Sequence, residues 1–224
     1  MPDSLESISL ESIIASIKDD GTIRSFDEAK VINGVILRVL SILGWDIFNI
    51  NEVKPEHNVG NGRVDFALII SDRTKVFIEA KRPSENLEQH QQQLLEYSFK
   101  GGVKLAVLTN GLTWWFYLPL SEGSWEERRF YTVDILEQTS SDVAERLTEF
   151  LSKNNIDTEQ AFESAEKVYR SQQRETVLRE ALPKTWKKLV DEPDDSLVDL
   201  IIENTERQCG FRPDVEDIVK FLQS

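Results

Sequence analysis

The sequence predicts an α/β protein: a mixed central β-sheet flanked by helices, followed by an all-helical C-terminal extension. Three observations carry this. Residues 62–83 (GRVDFALIISDRTKVFIEAKRP) read as two short apolar strands joined by a polar turn. Two more apolar runs, Lys104–Gly111 and Thr113–Leu118, follow a stretch of strong helix formers. From Ser140 onward the pattern is helical to the end. The chain therefore divides into a sheet-bearing domain, residues 1–138, and a helical extension, residues 139–224.

Leu5, Ile8, Leu10, Ile13, Ile14 and Ile17 mark a first amphipathic helix, ended by Asp19-Asp20-Gly21. A second helix begins near Ser25-Phe26-Asp27-Glu28 and runs to Leu43, with Gly44 as its stop. Val31, Val35, Val39 and Leu43 form its apolar stripe. Trp45–Val53 reads as a first strand, and the loop His57–Gly62 leads into the next. Val64, Phe66, Leu68 and Ile70 alternate with Asp65, Ala67 and Ile69. After the turn Ser71–Thr74, Val76–Ala80 resumes the β pattern. Leu87–Tyr97 is a helix, and Thr109–Leu112 a tight turn between two strands. Glu126–Asp134 adds an edge strand. Helices follow at 141–153, 158–180, 183–191, 195–208 and 213–223, with Pro183, Pro193 and Pro213 near their breaks.

Composition narrows the function classes. The 224 residues are 40% hydrophobic, enough for a packed core. One cysteine, Cys209, excludes an internal disulfide and a cysteine-type zinc cluster, and its scarcity suits a reducing compartment. No apolar run reaches the roughly 20 residues of a membrane helix. The acidic N-terminus lacks the basic region of a signal peptide, so a soluble cytoplasmic protein is expected. The net charge of −14 is split evenly, residues 1–140 and 141–224 each carrying −7. That balance disfavours unassisted coating of nucleic acid, but a metal-binding site is itself acidic and its cation reverses the local field. No GxxxxGK[ST] loop and no GxSxG elbow is present. His57 and His90 lie far apart, so both are expected to be solvated rather than zinc ligands.

One cluster stands out. Residues i and i+2 of a strand share a face, so Glu79 and Lys81 point the same way and Asp65 on the neighbouring strand lies beside them. Two carboxylates and an ammonium at a strand end are costly unless a metal ion or a phosphate compensates them. Solvated charges on the outer face of a hairpin are the plain alternative. Glu28, in the first turn of the second helix, either complements the helix dipole or reaches the cluster as a third carboxylate. Gln93 and Tyr97 share a helix face, which reads equally as a solvated surface. Trp114 and Trp115 read as core and rim packing rather than base-stacking platforms.

Taken together, Glu28, Asp65, IEAKRP (78–83), Gln93-x-x-x-Tyr97 and LTNGLTWWFY (108–117) resemble the nuclease domain at the N-terminus of type I restriction-enzyme motor (R) subunits, within the PD-(D/E)xK superfamily. The resemblance covers about residues 25–135. It implies a restriction-endonuclease-like fold and a Mg²⁺- or Mn²⁺-dependent DNA endonuclease hydrolysing phosphodiester bonds. Asp65, Glu79 and Lys81 match the family motif, with Glu28 as the helix glutamate. Asp65, Glu79, Glu28 and the carbonyl of Ala80 would be the metal ligands. Lys81 would orient or activate the attacking water, or stabilise the pentacovalent state. Gln93 and Tyr97 would contact DNA or brace the site. Val64 stands where the family has proline, and no motor sequence is present. The implied partners are DNA, restriction-modification or helicase subunits and a second copy of the chain. A catalytically weak binding or assembly module in such a complex is the alternative function, and RNA the alternative substrate. The helical extension suits dimerisation, partner docking or a plain cap over the sheet.

Overall fold

The computed structural model describes residues 9–223. α1 (Leu10–Asp19) is capped by Ser9, whose side chain accepts the Ser12 amide, and buries Leu10, Ile13, Ile14 and Ile17. α1 takes up the part of the helix expected over 5–17 that falls on described residues; Leu5 and Ile8 lie outside the described residues. Next come α2 (Glu28–Val31), a π-helical turn (Ile32–Ile36) and α3 (Leu37–Ile42). Gly44, at φ +91°, follows them as the expected stop.

Six strands form one sheet in the order β1-β2-β3-β4-β5-β6: β1 (Val53–Val59), β2 (Gly62–Ile70), β3 (Arg73–Ala80), β4 (Leu105–Thr109), β5 (Thr113–Tyr117) and β6 (Arg129–Asp134). Every neighbouring pair is antiparallel except β3 and β4, which run parallel. α4 (Gln91–Gly101) is the crossover between those two, as a parallel pair requires. Between β2 and β3, Ser71 and Asp72 both have positive φ (50° and 59°), the signature of a type I′ turn. It lets β3 start at Arg73, ahead of the expected Val76. This mixed sheet with flanking helices is the expected α/β architecture.

The first strand is not where the sequence suggested. Trp45–Asn51 forms turns, because Asp46 and Asn49 accept the amides of Phe48 and Asn51 through their own side chains. Phe48 is left 91% exposed. β1 instead takes the hydrophilic VKPEHNV, an edge strand that buries only its terminal valines and tolerates Pro55. His57, Asn58 and Val59 therefore belong to a strand rather than a loop.

Two cores line the sheet. The larger unites α1, the α2–α3 segment, β2–β6 and helices α5 (Ser140–Leu151) and α6 (Lys153–Asp157) around Ile36, Leu40, Trp114, Phe116 and Phe150. The smaller lies under α4, with Phe77, Leu94, Leu95 and Tyr117. Because Val143, Leu147, Phe150 and Leu151 of α5, and Ala161, Phe162 and Ala165 beyond it, join the main core, the first compact unit runs to Arg170, past the boundary expected at residue 138. The second unit comprises residues 171–224, with the end of α7 (Gln160–Asp191), α8 (Asp195–Cys209) and α9 (Val215–Leu222). α7 is one helix in place of the expected two. Pro183 lies inside it, on an exposed stretch where water can satisfy the carbonyl that the proline leaves unbonded. Among the described residues, no helix is long and apolar enough to cross a membrane.

Candidate active site

The antiparallel register of β2 and β3 ends at Phe66↔Ile78 and, continued by one residue, sets Asp65 opposite Glu79. There the ladder is completed by a side chain: Asp65 Oδ2 accepts the Ala80 backbone N–H at 2.7 Å. Alternation sends Ala80 into the main core and leaves Glu79 and Lys81 on the face covered by α4. The Lys81 backbone N–H donates to the Thr109 carbonyl at 2.8 Å, carrying the parallel β3–β4 pairing one residue past the strand end. Lys81 Nζ donates to Glu79 Oε1 at 2.7 Å and lies 3.8 Å from Glu28 Oε2. Asp65, Glu79, Lys81 and Glu28 are therefore brought together at the C-terminal end of the parallel pair.

The electrostatics follow from burial. The Glu79 and Lys81 side chains are only 16% and 12% exposed, whereas Glu28 is 44% exposed. Burial, reinforced by the neighbouring Asp65 carboxylate, pushes the Glu79 pKa up; the Lys81 hydrogen bond and charge and the Asp65 amide only partly offset this. For Lys81, burial acts downward, but the hydrogen bond to Glu79 and the charges of Glu79, Asp65 and Glu28 outweigh it, so its pKa rises. Lys81 is thus a cation at neutral pH, while Glu79 gives up its proton reluctantly.

A loop that the sequence marked only as a turn builds this corner. Thr109 Oγ1 accepts the Gly111 N–H and donates to the Thr113 carbonyl, while Asn110 Oδ1 accepts the amides of Leu112 and Thr113. Gly111 has φ +85°, and a Cβ there would meet Val31 Cγ1 at 3.0 Å. Val31 closes α2, the helix that begins at Glu28, so the Leu108–Gly111 tetrapeptide seats both the exit of β3 and the helix bearing Glu28. These supporting roles were missed; the LTNG string was the signal.

Gln93 Nε2 donates to Tyr97 Oη at 3.1 Å on α4. The Tyr97 ring lies on Gly62, where a Cβ would fall 2.2 Å from its Cζ. The pair stands over the start of β2, and among the described residues it makes no hydrogen bond to Asp65, Glu79 or Lys81. The histidines are less solvated than expected. The His57 ring is 5.6 Å from that of Phe77, its Nδ1 is buried without a hydrogen-bond partner, and burial together with Lys54 lowers its pKa. His90 Nε2 lies 3.0 Å from Glu85 Oε2. Trp114 is fully buried, and Trp115 carries the Arg129 guanidinium 4.2 Å from its ring. Core and rim packing accounts for both.

Oxygen donors of the kind that suit Mg²⁺ or Mn²⁺ are present in the part-buried Asp65 and Glu79 carboxylates, whose mutual repulsion a cation would relieve. Among the described residues no group of three or more His, Cys, Asp or Glu is placed to hold a metal ion. A cation here would accordingly rest on two carboxylates, completed by backbone carbonyl and water.

The mixed sheet with its flanking helices defines a restriction-endonuclease-like α/β fold. Residues 50–125 match the family model described as the type I restriction enzyme R protein N terminus (HSDR_N), in keeping with the resemblance in the sequence. The matched stretch, about a third of the chain, contains Asp65, Glu79, Lys81, Gln93 and Tyr97; Glu28 precedes it. Neither a curated protein nor a solved structure matches the chain.

Proposed function

We propose that this protein is a Mg²⁺- or Mn²⁺-dependent DNA endonuclease of the kind associated with type I restriction, hydrolysing phosphodiester bonds at the Asp65–Glu79–Lys81 site. The observation that carries the reading is the meeting of these three side chains at the end of the parallel β3–β4 pair. Asp65, Glu79 and the Ala80 carbonyl would hold the cation. Bound there, it would polarise the scissile phosphate and lower the pKa of a bound water. Asp65 is fixed by the Ala80 amide, so its carboxylate is oriented before any ligand arrives.

Lys81 keeps its proton at neutral pH, which favours an electrostatic role over that of a base. It donates hydrogen bonds to the attacking water or to a phosphate oxygen and offsets the charge that grows as the new P–O bond forms and the old one breaks. Glu28 is assigned to Lys81, whose ammonium it faces, rather than to the metal. Gln93 and Tyr97, held to each other and against Gly62, are positioned to contact the DNA backbone beside the site.

The test is incubation of purified protein with supercoiled plasmid in Mg²⁺, Mn²⁺ or EDTA, beside Asp65→Ala and Lys81→Ala. Metal-dependent nicking or linearisation, lost in both variants, is expected. No cleavage by the wild type, or equal cleavage by the variants, overturns the reading. The net charge of −14 favours one second reading, a nuclease-fold module that assembles with partner subunits and cleaves weakly or not at all. It predicts stable folding and little or no nicking in any metal.

A further inference from the structure

The second compact unit is short of a core. Among its described residues only Val198, Ile202 and Ile218 form a buried apolar cluster. Residues 174–188 of α7 are exposed throughout and carry Val177, Leu178, Leu182 and Trp186, between 43% and 62% exposed. Leu178, Leu182 and Trp186 recur every four residues and so form one stripe, bordered at helical spacing by Arg174 and Arg179, with Glu175 on the same face. On α8 and in the segment after it, Leu200, Phe211 and Val215 are likewise 56–79% exposed. Asp199 and Glu203 flank Leu200 on the helix surface.

Charge separates the two surfaces. Residues 171–191 hold five basic and three acidic side chains, a net +2, whereas residues 192–224 hold three and nine, a net −6. Among the described residues, Arg174, Arg179, Lys184, Lys187 and Lys188 of α7 make no ion pair within the chain, and neither does Asp199 of α8. A basic apolar helix and an acidic apolar helix pair thus occur in one unit, each uncovered by the other.

We propose that a second copy of this chain covers both: α7 of one protomer lies on the α8–α9 surface of its partner, and the reverse contact follows by two-fold symmetry. A closed, isologous pair sets Arg174 and Arg179 beside one α7 stripe against the Asp199 and Glu203 flank of the other copy's Leu200 in both contacts at once, which a single contact does not. Six large apolar side chains (Leu178, Leu182, Trp186, Leu200, Phe211 and Val215) at ~100 Å² each amount to roughly 600 Å² per protomer, about 1,200 Å² in all, the lower end of a specific interface. The apolar stripe supplies the affinity, and the flanking charges set partner and orientation.

The test is sedimentation equilibrium of the full chain at concentrations on the order of 10–100 μM. The expected mass is twice 25.8 kDa, with dissociation promoted by salt. Leu182→Glu, at an exposed position, is expected to retain its far-UV circular dichroism and to sediment at 25.8 kDa. A charge-reversed α7 (Arg174→Glu with Arg179→Glu) and a charge-reversed α8 (Asp199→Lys with Glu203→Lys) are each expected to self-associate at least tenfold more weakly. Mixed, they are expected to form a heterodimer that either alone does not. A monomeric wild type, a mass above two chains, a Leu182→Glu protein that remains a dimer, or charge variants that ignore one another would overturn the proposal. None of these readings depends on whether the chain cleaves DNA.

Discussion

Replacing Lys81 by Met isolates the interaction at the centre of the site. The side chain keeps its length and loses its ammonium, leaving Glu79 mostly buried beside Asp65 with no hydrogen bond from Lys81. Breaking a fully buried pair by removing one partner costs about 3–5 kcal/mol. Here Glu79 can escape by taking up a proton, because its pKa is already raised, so about 1–3 kcal/mol is expected at neutral pH. A carboxyl whose folded pKa lies above its unfolded value contributes stability that is present below the unfolded pKa and lost as pH rises through the folded pKa. Removing Lys81 raises the folded value further. The penalty of Lys81→Met should therefore be large near pH 8 and shrink toward pH 4.5, about the ordinary glutamate pKa. The assay is urea unfolding of wild type, Lys81→Met, Glu79→Gln and the double variant at both pH values, so that the Glu79–Lys81 coupling energy is read free of other titrating groups. A coupling energy that is the same at both pH values, or near zero at the higher one, would refute the assignment of a buried, strained carboxylate held by Lys81.

Further outcomes follow from the same geometry. Gly62→Ala should cost about 1–3 kcal/mol, because its Cβ would sit 2.2 Å from Tyr97 Cζ; chemical denaturation should show most of the loss recovered when Tyr97→Ala is added. Gly111→Ala combines a positive φ of 85° with a 3.0 Å approach to Val31, so a loss of about 1–3 kcal/mol and weakened nicking are expected together. Asp72→Gly should instead stabilise the fold by up to about 1 kcal/mol in thermal unfolding, since it relieves a left-handed backbone in the type I′ turn. Cleavage should fall with acidification at a higher pH than an ordinary glutamate would dictate, because Glu79 must ionise to serve as a ligand. A pH–rate profile in which Glu79→Asp moves the acidic limb checks this.

How far the sequence revealed the fold can be argued from particular residues. The β2–β3 hairpin was legible because its apolar residues alternate and its turn residues tolerate positive φ. β1 was not legible, since an edge strand that buries only Val53 and Val59 has no apolar alternation to read. The competing signal, Trp45–Val53, failed because Asp46 and Asn49 satisfy local amides and Trp45 is drawn out of any strand by its own bond to the Leu151 carbonyl. Pro183 looked like a helix break because sequence alone does not reveal that the turn around it is exposed within the chain.

At the site, the i, i+2 rule placed Glu79 and Lys81 together without any structure. The approach of Asp65 depended on strand register, which the hairpin turn fixes. Two features lay beyond sequence. One is the Asp65 bond to the Ala80 amide, a tertiary contact at a strand end. The other is the approach of Glu28 to Lys81, a contact between a helix start and a strand end far apart in sequence.

The central claim, that Asp65 and Glu79 gather a divalent cation beside Lys81, is tested most directly by titrating the protein with Mn²⁺ and counting bound ions by electron paramagnetic resonance. Saturable binding by the wild type that Mg²⁺ displaces is expected, with its loss in Asp65→Asn and in Glu79→Gln while both variants remain folded. Binding that survives both substitutions, or a wild-type protein that takes up no Mn²⁺, would contradict it.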